Sequence, residues 1–155
     1  MIRIVLAVIH LLALGIGFSA IRKRAGLLLQ PANPGAVRGA LRADAEWGVA
    51  AVLWIATGLW RYFAGTEKPT IYYNYNGVFL AKMAVFVLIF ALEIWPMITL
   101  ARWRNAIAKG AAPESVANVD AALRIAKISW WQTLLLAVMV ALAATMARGV
   151  GAAEL

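Results

Sequence analysis

Four long apolar runs constrain this chain more than any other feature: residues 4–21, about 45–63, 78–100 and 128–147. An α-helix rises about 1.5 Å per residue, so each run matches the roughly 20 residues needed to cross a hydrocarbon core about 30 Å thick. Strands of a membrane barrel would be about half as long and would alternate polar with apolar positions. These runs do not alternate, so they read as helices. The expected fold is an all-α integral membrane four-helix bundle, one domain over residues 1–155. Composition agrees, with 64% of residues hydrophobic and 14% charged. A soluble domain carries about half apolar and about a quarter charged residues.

The first run resembles a signal peptide, with Arg3 ahead of it and Gly17-Phe18-Ser19 as a small-x-small site. Arg22-Lys23-Arg24 follows at once, and such a cluster holds its flank in the cytoplasm. The run is therefore expected to be an uncleaved first helix. Lys and Arg are unevenly distributed between the two sides. The first connection holds Arg22, Lys23, Arg24, Arg38 and Arg42, and the third holds Arg102, Arg104, Lys109, Arg124 and Lys127. Arg3, Arg61, Lys68 and Arg148 fall on the other side. The positive-inside rule then puts the heavy connections in the cytoplasm and both termini on the outer, periplasmic side of a bacterial inner membrane.

The same distribution explains the net charge of +8 without nucleic acid, because the basic residues flank apolar runs and form no basic-aromatic surface stripe. With no cysteine and one histidine, thiol chemistry, Cys-based metal sites and a multi-His cage within one chain are excluded. No phosphate loop, Ser-His-Asp triad or paired-carboxylate site is present.

The connections carry their own signals. Pro31-Ala32-Asn33-Pro34-Gly35 reads as an irregular turn, leaving separate helices over residues 1–24 and 41–63. A short amphipathic stretch is expected after Pro113. Tyr72, Tyr73 and Tyr75 in the second connection read as an interfacial aromatic belt, and Trp47, Trp60, Trp95, Trp103, Trp130 and Trp131 also fall near span ends.

The polar residues within the spans fall into two layers. His10 lies six residues into the first run and Lys82 four residues into the third, so both sit roughly 6–9 Å into the outer leaflet. Arg61 and Arg148 end their helices on the same side. Glu93 shares a helix face with Lys82, but about 16 Å separates them along the axis, which rules out a salt bridge. Glu93 instead joins the cytoplasmic layer near Arg22, Arg24, Asp44 and Glu46, where an arginine is its expected structural partner. Lys82 either snorkels to the interface or holds an anion such as a carboxylate or propionate. His10, on a face with Ala7, Ala13 and Gly17, is either hydrogen-bonded across helices or an axial ligand to haem iron or a ligand to copper. Arg61 and Arg148 are topology anchors, or cations for haem propionates or a quinone-like anion. Trp47, Ala51, Trp54, Gly58 and Arg61 recur at near-helical spacing, a pattern of packing more than of a cofactor box.

Four stretches carry a family resemblance: "HLLALGIGFSAIRKR" at residues 10–24, "WGVAAVLWIATGLWR" at 47–61, "FLAKMAVFVLIFALEIWPMITLARWR" at 79–104 and "MARG" at 146–149. They resemble those of a group of small bacterial inner-membrane proteins defined only as a domain of unknown function. More distantly, the layout is similar to the superfamily of copper-resistance protein D and HemJ-type protoporphyrinogen oxidase. In that oxidase a first-helix histidine and a third-helix lysine are implicated in haem binding or activity. His10 and Lys82 match them by position. This chain lacks the additional histidines of those proteins, which leaves a five-coordinate haem or one with a non-His second ligand.

Three functional expectations follow. The first is a haem b- or porphyrin-binding membrane protein with a redox or sensing role, with His10 on the iron and Lys82, Arg61 and Arg148 holding the acidic groups. The second is a non-catalytic accessory subunit or homo-oligomeric structural protein of a membrane complex, suggested by the Ala-rich fourth run. The third is a copper or small-solute transporter, for which four short helices leave little room in a monomer.

Overall fold

The computed structural model describes residues 1–65 and 70–151. It is helical throughout, with no strand among the described residues. The elements in order are α1 (Ile2–Leu27), α2 (Pro34–Phe63), α3 (Thr70–Asn74), α4 (Gly77–Ala108), α5 (Pro113–Val116) and α6 (Val119–Ala147). Lys68, counted above with the lightly charged side, lies outside the described residues.

The four long helices overrun the apolar runs, chiefly at their basic ends. Hydrophobicity marks where a helix meets lipid, whereas backbone hydrogen bonding continues into the polar layer. Accordingly, α2 begins at Pro34 and not near Leu41. Asn33 caps it, its side-chain oxygen accepting from the backbone N–H of Gly35 at 2.9 Å and of Ala36 at 3.2 Å. Proline at the first helical position lacks only an N–H that has no intrahelical acceptor there. The irregular linker thus contracts to residues 28–33. Asn76 and Asn118 cap α4 and α6 in the same way. The amphipathic stretch after Pro113 is a single turn, α5.

Three of the long helices, Ile2–Leu27, Gly77–Ala108 and Val119–Ala147, are long and apolar enough to cross a membrane. In α2, only the residues from Trp47 to Trp60 separate Glu46 from Arg61, and three of them are tryptophans. That is short for a fully apolar span.

Packing runs α2–α1–α6–α4, with extensive contact along each of those pairs. By contrast, α2 and α4 barely touch, leaving a seam between them. The antiparallel order brings the start of α1 and the end of α6 to the same end of the helices. There the segment after α6 folds over the start of α4, with Gly77 N–H donating to the Gly151 carbonyl at 3.2 Å.

Small residues set the α1–α2 approach. A Cβ on Gly17 would stand 2.8 Å from Cζ3 of Trp47, so only glycine admits the indole there. Trp47 and Trp54 are 4% exposed and Trp103 is 7% exposed. Trp47 and Trp103, placed near span ends by the sequence, are core residues and not a lipid-facing belt. Trp60, Trp95, Trp130 and Trp131 remain on the surface.

The buried core has two parts. One gathers Leu28, Leu41, Leu100 and Ile125; the other gathers Ile21, Trp47, Ile89 and Leu136. On every long helix the polar residue of the central layer falls between the two: Arg24 on α1, Asp44 on α2, Glu93 on α4, and Ser129 and Gln132 on α6.

Candidate functional site

The polar layer between the two cores centres on Arg24, which is fully buried. Its guanidinium reaches Glu93 in a fork, at 2.7 Å to Oε1 and 2.8 Å to Oε2. It also donates to Asp44 Oδ1 at 2.8 Å, Gln132 Oε1 at 3.0 Å and Ser129 Oγ at 3.0 Å. Guanidinium has five N–H groups, and these five contacts use all of them. Gln132 in turn donates to Glu93 Oε2 at 2.8 Å and to the Ile89 carbonyl at 3.2 Å. Arg104 donates to Asp44 Oδ2 at 3.0 Å. Two arginines face two carboxylates, so the layer is charge-balanced and its arginine is saturated. An unpaired charge here would cost several kcal/mol, roughly the figure for any buried ion without its partner. The arginine partner expected for Glu93 is therefore Arg24. Ser129 and Gln132 complete the cluster; their only sequence signal was polarity at the start of an apolar run. A saturated, neutral cluster joins four helices and leaves little for a ligand to bind.

The other end is different. A groove of about 610 Å³ opens along the α2–α4 seam. All four long helices contribute to it: His10 from α1, Trp54 and Gly58 from α2, Lys82 and Phe86 from α4, and Met139 from α6. Tyr62 and Phe79 stack in its wall, with ring centroids 5.8 Å apart and planes within 2°. Trp54 lies edge-on to Phe86 at 5.5 Å and tilted to His10 at 5.9 Å.

Gly58 lets the imidazole in, since a Cβ there would stand 3.2 Å from His10 Cε1. His10 Nδ1 lies 2.9 Å from Thr57 Oγ1. The Thr57 hydroxyl is 2.7 Å from the Leu53 carbonyl, one turn back, and donates to it. With its proton on the Leu53 carbonyl, the Thr57 oxygen is placed to accept from His10 Nδ1 in the tautomer that carries its proton there. Thr57 sits beside the tryptophan–glycine face of α2 in the sequence, but nothing there pairs it with a residue of α1.

His10 and Lys82, assigned to one layer from their depths, thus line one groove. Both are half-buried. Arg61 and Arg148 do not line it. Arg61 is half-buried, one turn past Gly58, and Arg148 is exposed at the C-cap of α6. Among the described residues, the indole Nε1 of Trp54 is buried with no hydrogen-bond acceptor, which is costly unless a ligand supplies one. No group of three or more His, Cys, Asp or Glu side chains comes together to hold a metal ion among the described residues.

A model of the DUF2214 family, described as a predicted membrane protein, matches residues 2–151. The chain belongs to the DUF2214 family. The match covers every long helix, the groove and the Arg24 cluster, so both belong to the family domain. No curated protein and no solved structure matches this DUF2214 chain. Its apolar helices and family membership make it a membrane protein, with the outward apolar side chains of its spanning helices, such as Leu11, Val87 and Val140, exposed for contact with lipid.

Proposed function

We propose that this DUF2214 protein is a four-span inner-membrane protein that holds haem b, or a porphyrin like it, in the α2–α4 groove. The observation that carries this reading is the His10–Thr57–Leu53 relay inside an aromatic groove that also presents Lys82. A metal-binding histidine commonly donates its other ring N–H to an oxygen, which fixes the tautomer and orients the ring. In the Nδ1-protonated tautomer, Nε2 would be the ligating atom. Trp54, Phe79 and Phe86 offer flat apolar walls. Lys82 and the unmatched Trp54 N–H are donors for acidic side groups. Met83 and Met139 also line the groove, and a thioether is a common second ligand beside one histidine. Bound haem would supply one-electron redox chemistry or gas sensing. Arg61 and Arg148, outside the groove, act as anchors at the membrane surface.

In this reading α2 crosses with the others, its short apolar stretch eased by Arg61 snorkelling outward. Both termini face the periplasm because Arg22, Lys23, Arg38, Arg42, Lys109 and Arg124 crowd the opposite end. The test is an absorption spectrum of protein purified from cells with ample haem. A Soret band is expected, lost in His10→Ala and kept in Arg148→Gln. Its absence from the wild type, or its persistence in His10→Ala, overturns the haem reading.

One observation favours a second reading. Because α2 and α4 barely touch, the seam could take a helix of another subunit, making this an accessory or oligomeric structural protein. The chain has no cysteine, so a single Ile55→Cys variant reports directly. Disulfide-linked dimers or cross-links to a co-purifying subunit support this reading, and a strictly monomeric product argues against it.

A further inference from the structure

The outward face of α6 carries a second site, at the basic end of the molecule and away from the haem groove. A depression of about 420 Å³ lies between α6 and the residues just after α1. Leu29, Leu123 and Leu134 make it apolar, and Lys127, Trp130 and Trp131 complete its wall. Residues 123, 127, 130 and 134 recur at helical spacing, so they share one face of α6. Ser129 and Gln132, on the opposite face, bind Arg24. The ion cluster thus fixes the rotation of α6 and turns this face outward.

The rim is cationic. The Arg22 guanidinium lies over the Trp130 ring, 5.1 Å from its centroid, and Lys127 is exposed in the wall. Among the described residues, neither makes an ion pair with a carboxylate. Lys23, next to Arg22, is by contrast committed to Glu46 at 3.7 Å. A tryptophan-edged apolar trough below two uncommitted cations matches an acyl chain below a phosphate. Indoles favour the headgroup level of a bilayer, and basic pockets beside transmembrane helices hold anionic headgroups.

We propose that this face binds one anionic phospholipid, its phosphate between Arg22 and Lys127 and an acyl chain along Trp131 and Leu134. The site is independent of the haem groove and of which end faces the cytoplasm. Zwitterionic lipids carry the same phosphate, but their own ammonium group offsets the cations' attraction.

The test uses the full chain in neutral-detergent micelles doped with equal amounts of phosphatidylglycerol and phosphatidylcholine of matched chains. Native mass spectrometry then counts the retained lipid. Phosphatidylglycerol is expected to be retained preferentially. Each cation contributes roughly fivefold, so Arg22→Gln with Lys127→Gln should lower that preference about twenty-five-fold. The charge-matched pair Arg102→Gln with Lys109→Gln should leave it unchanged. Trp131→Ala should weaken both lipids together, as expected for an acyl-chain contact. Circular dichroism of each variant checks that the helices persist. Equal retention of the two lipids overturns the proposal, as does an equal loss in both double variants. Displacement of the lipid by millimolar inorganic phosphate would instead make this a free-anion site, and also overturns it.

Discussion

Replacing Glu93 with leucine is the most demanding test of how the helices are held together. Glu93 accepts two hydrogen bonds from Arg24, at 2.7 and 2.8 Å, and one from Gln132 at 2.8 Å. Hydrogen bonds to charged groups contribute about 1.5–3 kcal/mol each, and breaking a buried pair from one side costs about 3–5 kcal/mol. Asp44 and the Gln132 carbonyl oxygen stay on the guanidinium, at 2.8 and 3.0 Å, so the lower end applies, about 3 kcal/mol. At roughly 2–4 °C per kcal/mol for a chain of this size, melting in mild detergent should fall by about 6–12 °C. The second arm separates the pair from the shape of the side chain. Arg24→Met together with Glu93→Leu removes both buried charges and should recover much of the loss, because apolar replacement of a whole buried pair is often neutral. Arg24→Met alone leaves Glu93 without a cation and Asp44 with only the half-exposed Arg104, and should be at least as damaging as Glu93→Leu. A Glu93→Leu protein that melts within a degree or two of the wild type would show that the Arg24–Glu93 pair does not hold the helices together. A double variant that loses the sum of the two single losses would show the same, since independent sites add and partners do not.

Arg104→Ala should matter far less, under about 1 kcal/mol, because that side chain is 47% exposed and its bond to Asp44 is screened by solvent; the same melting assay reads it. Gly17→Ala puts a methyl group 2.8 Å from the Trp47 ring, and overpacking of this kind costs about 1–3 kcal/mol, seen as a melt lowered by several degrees with a changed tryptophan emission. Thr57→Val removes the acceptor for His10 Nδ1–H while keeping the volume; nitrogen NMR, unambiguous for the one histidine, should show the Nδ1-protonated tautomer in the wild type and its loss in the variant. An unchanged tautomer would undo the relay on which the haem reading stands. Asn33→Ala should cost about 0.5–2 kcal/mol through loss of the α2 cap, measurable as lower stability without loss of helix content in the native state.

Several features were legible in the chain before any tertiary contact. The long helices follow from run length, since lipid forces a spanning backbone to satisfy itself. The separation of Lys82 from Glu93 follows from helical rise alone. So does the shared depth of His10 and Lys82, which both line the groove. The caps at Asn33, Asn76 and Asn118 were present in the sequence too, yet α2 was expected to begin some seven residues late. Hydropathy does not report where backbone hydrogen bonding starts.

What the chain could not state alone is which side chains meet across helices. Pairing Arg24 and not Arg22 with Glu93 depends on the rotation of α1, which Gly17 sets by letting Trp47 approach. Thr57 becomes the partner of His10 only once that approach is made. Arg148 shares a layer with His10 by depth but lies about half a turn around α6 from Met139, which lines the groove, whereas Arg61 shares the Trp54–Gly58 face of α2 and falls one turn beyond the lining residue Gly58. Depth along a helix is a one-dimensional property that sequence position determines. The azimuth of one helix against its neighbours comes from packing, and in this DUF2214 protein packing decided which polar residues became a locked ion cluster and which came to line an open groove.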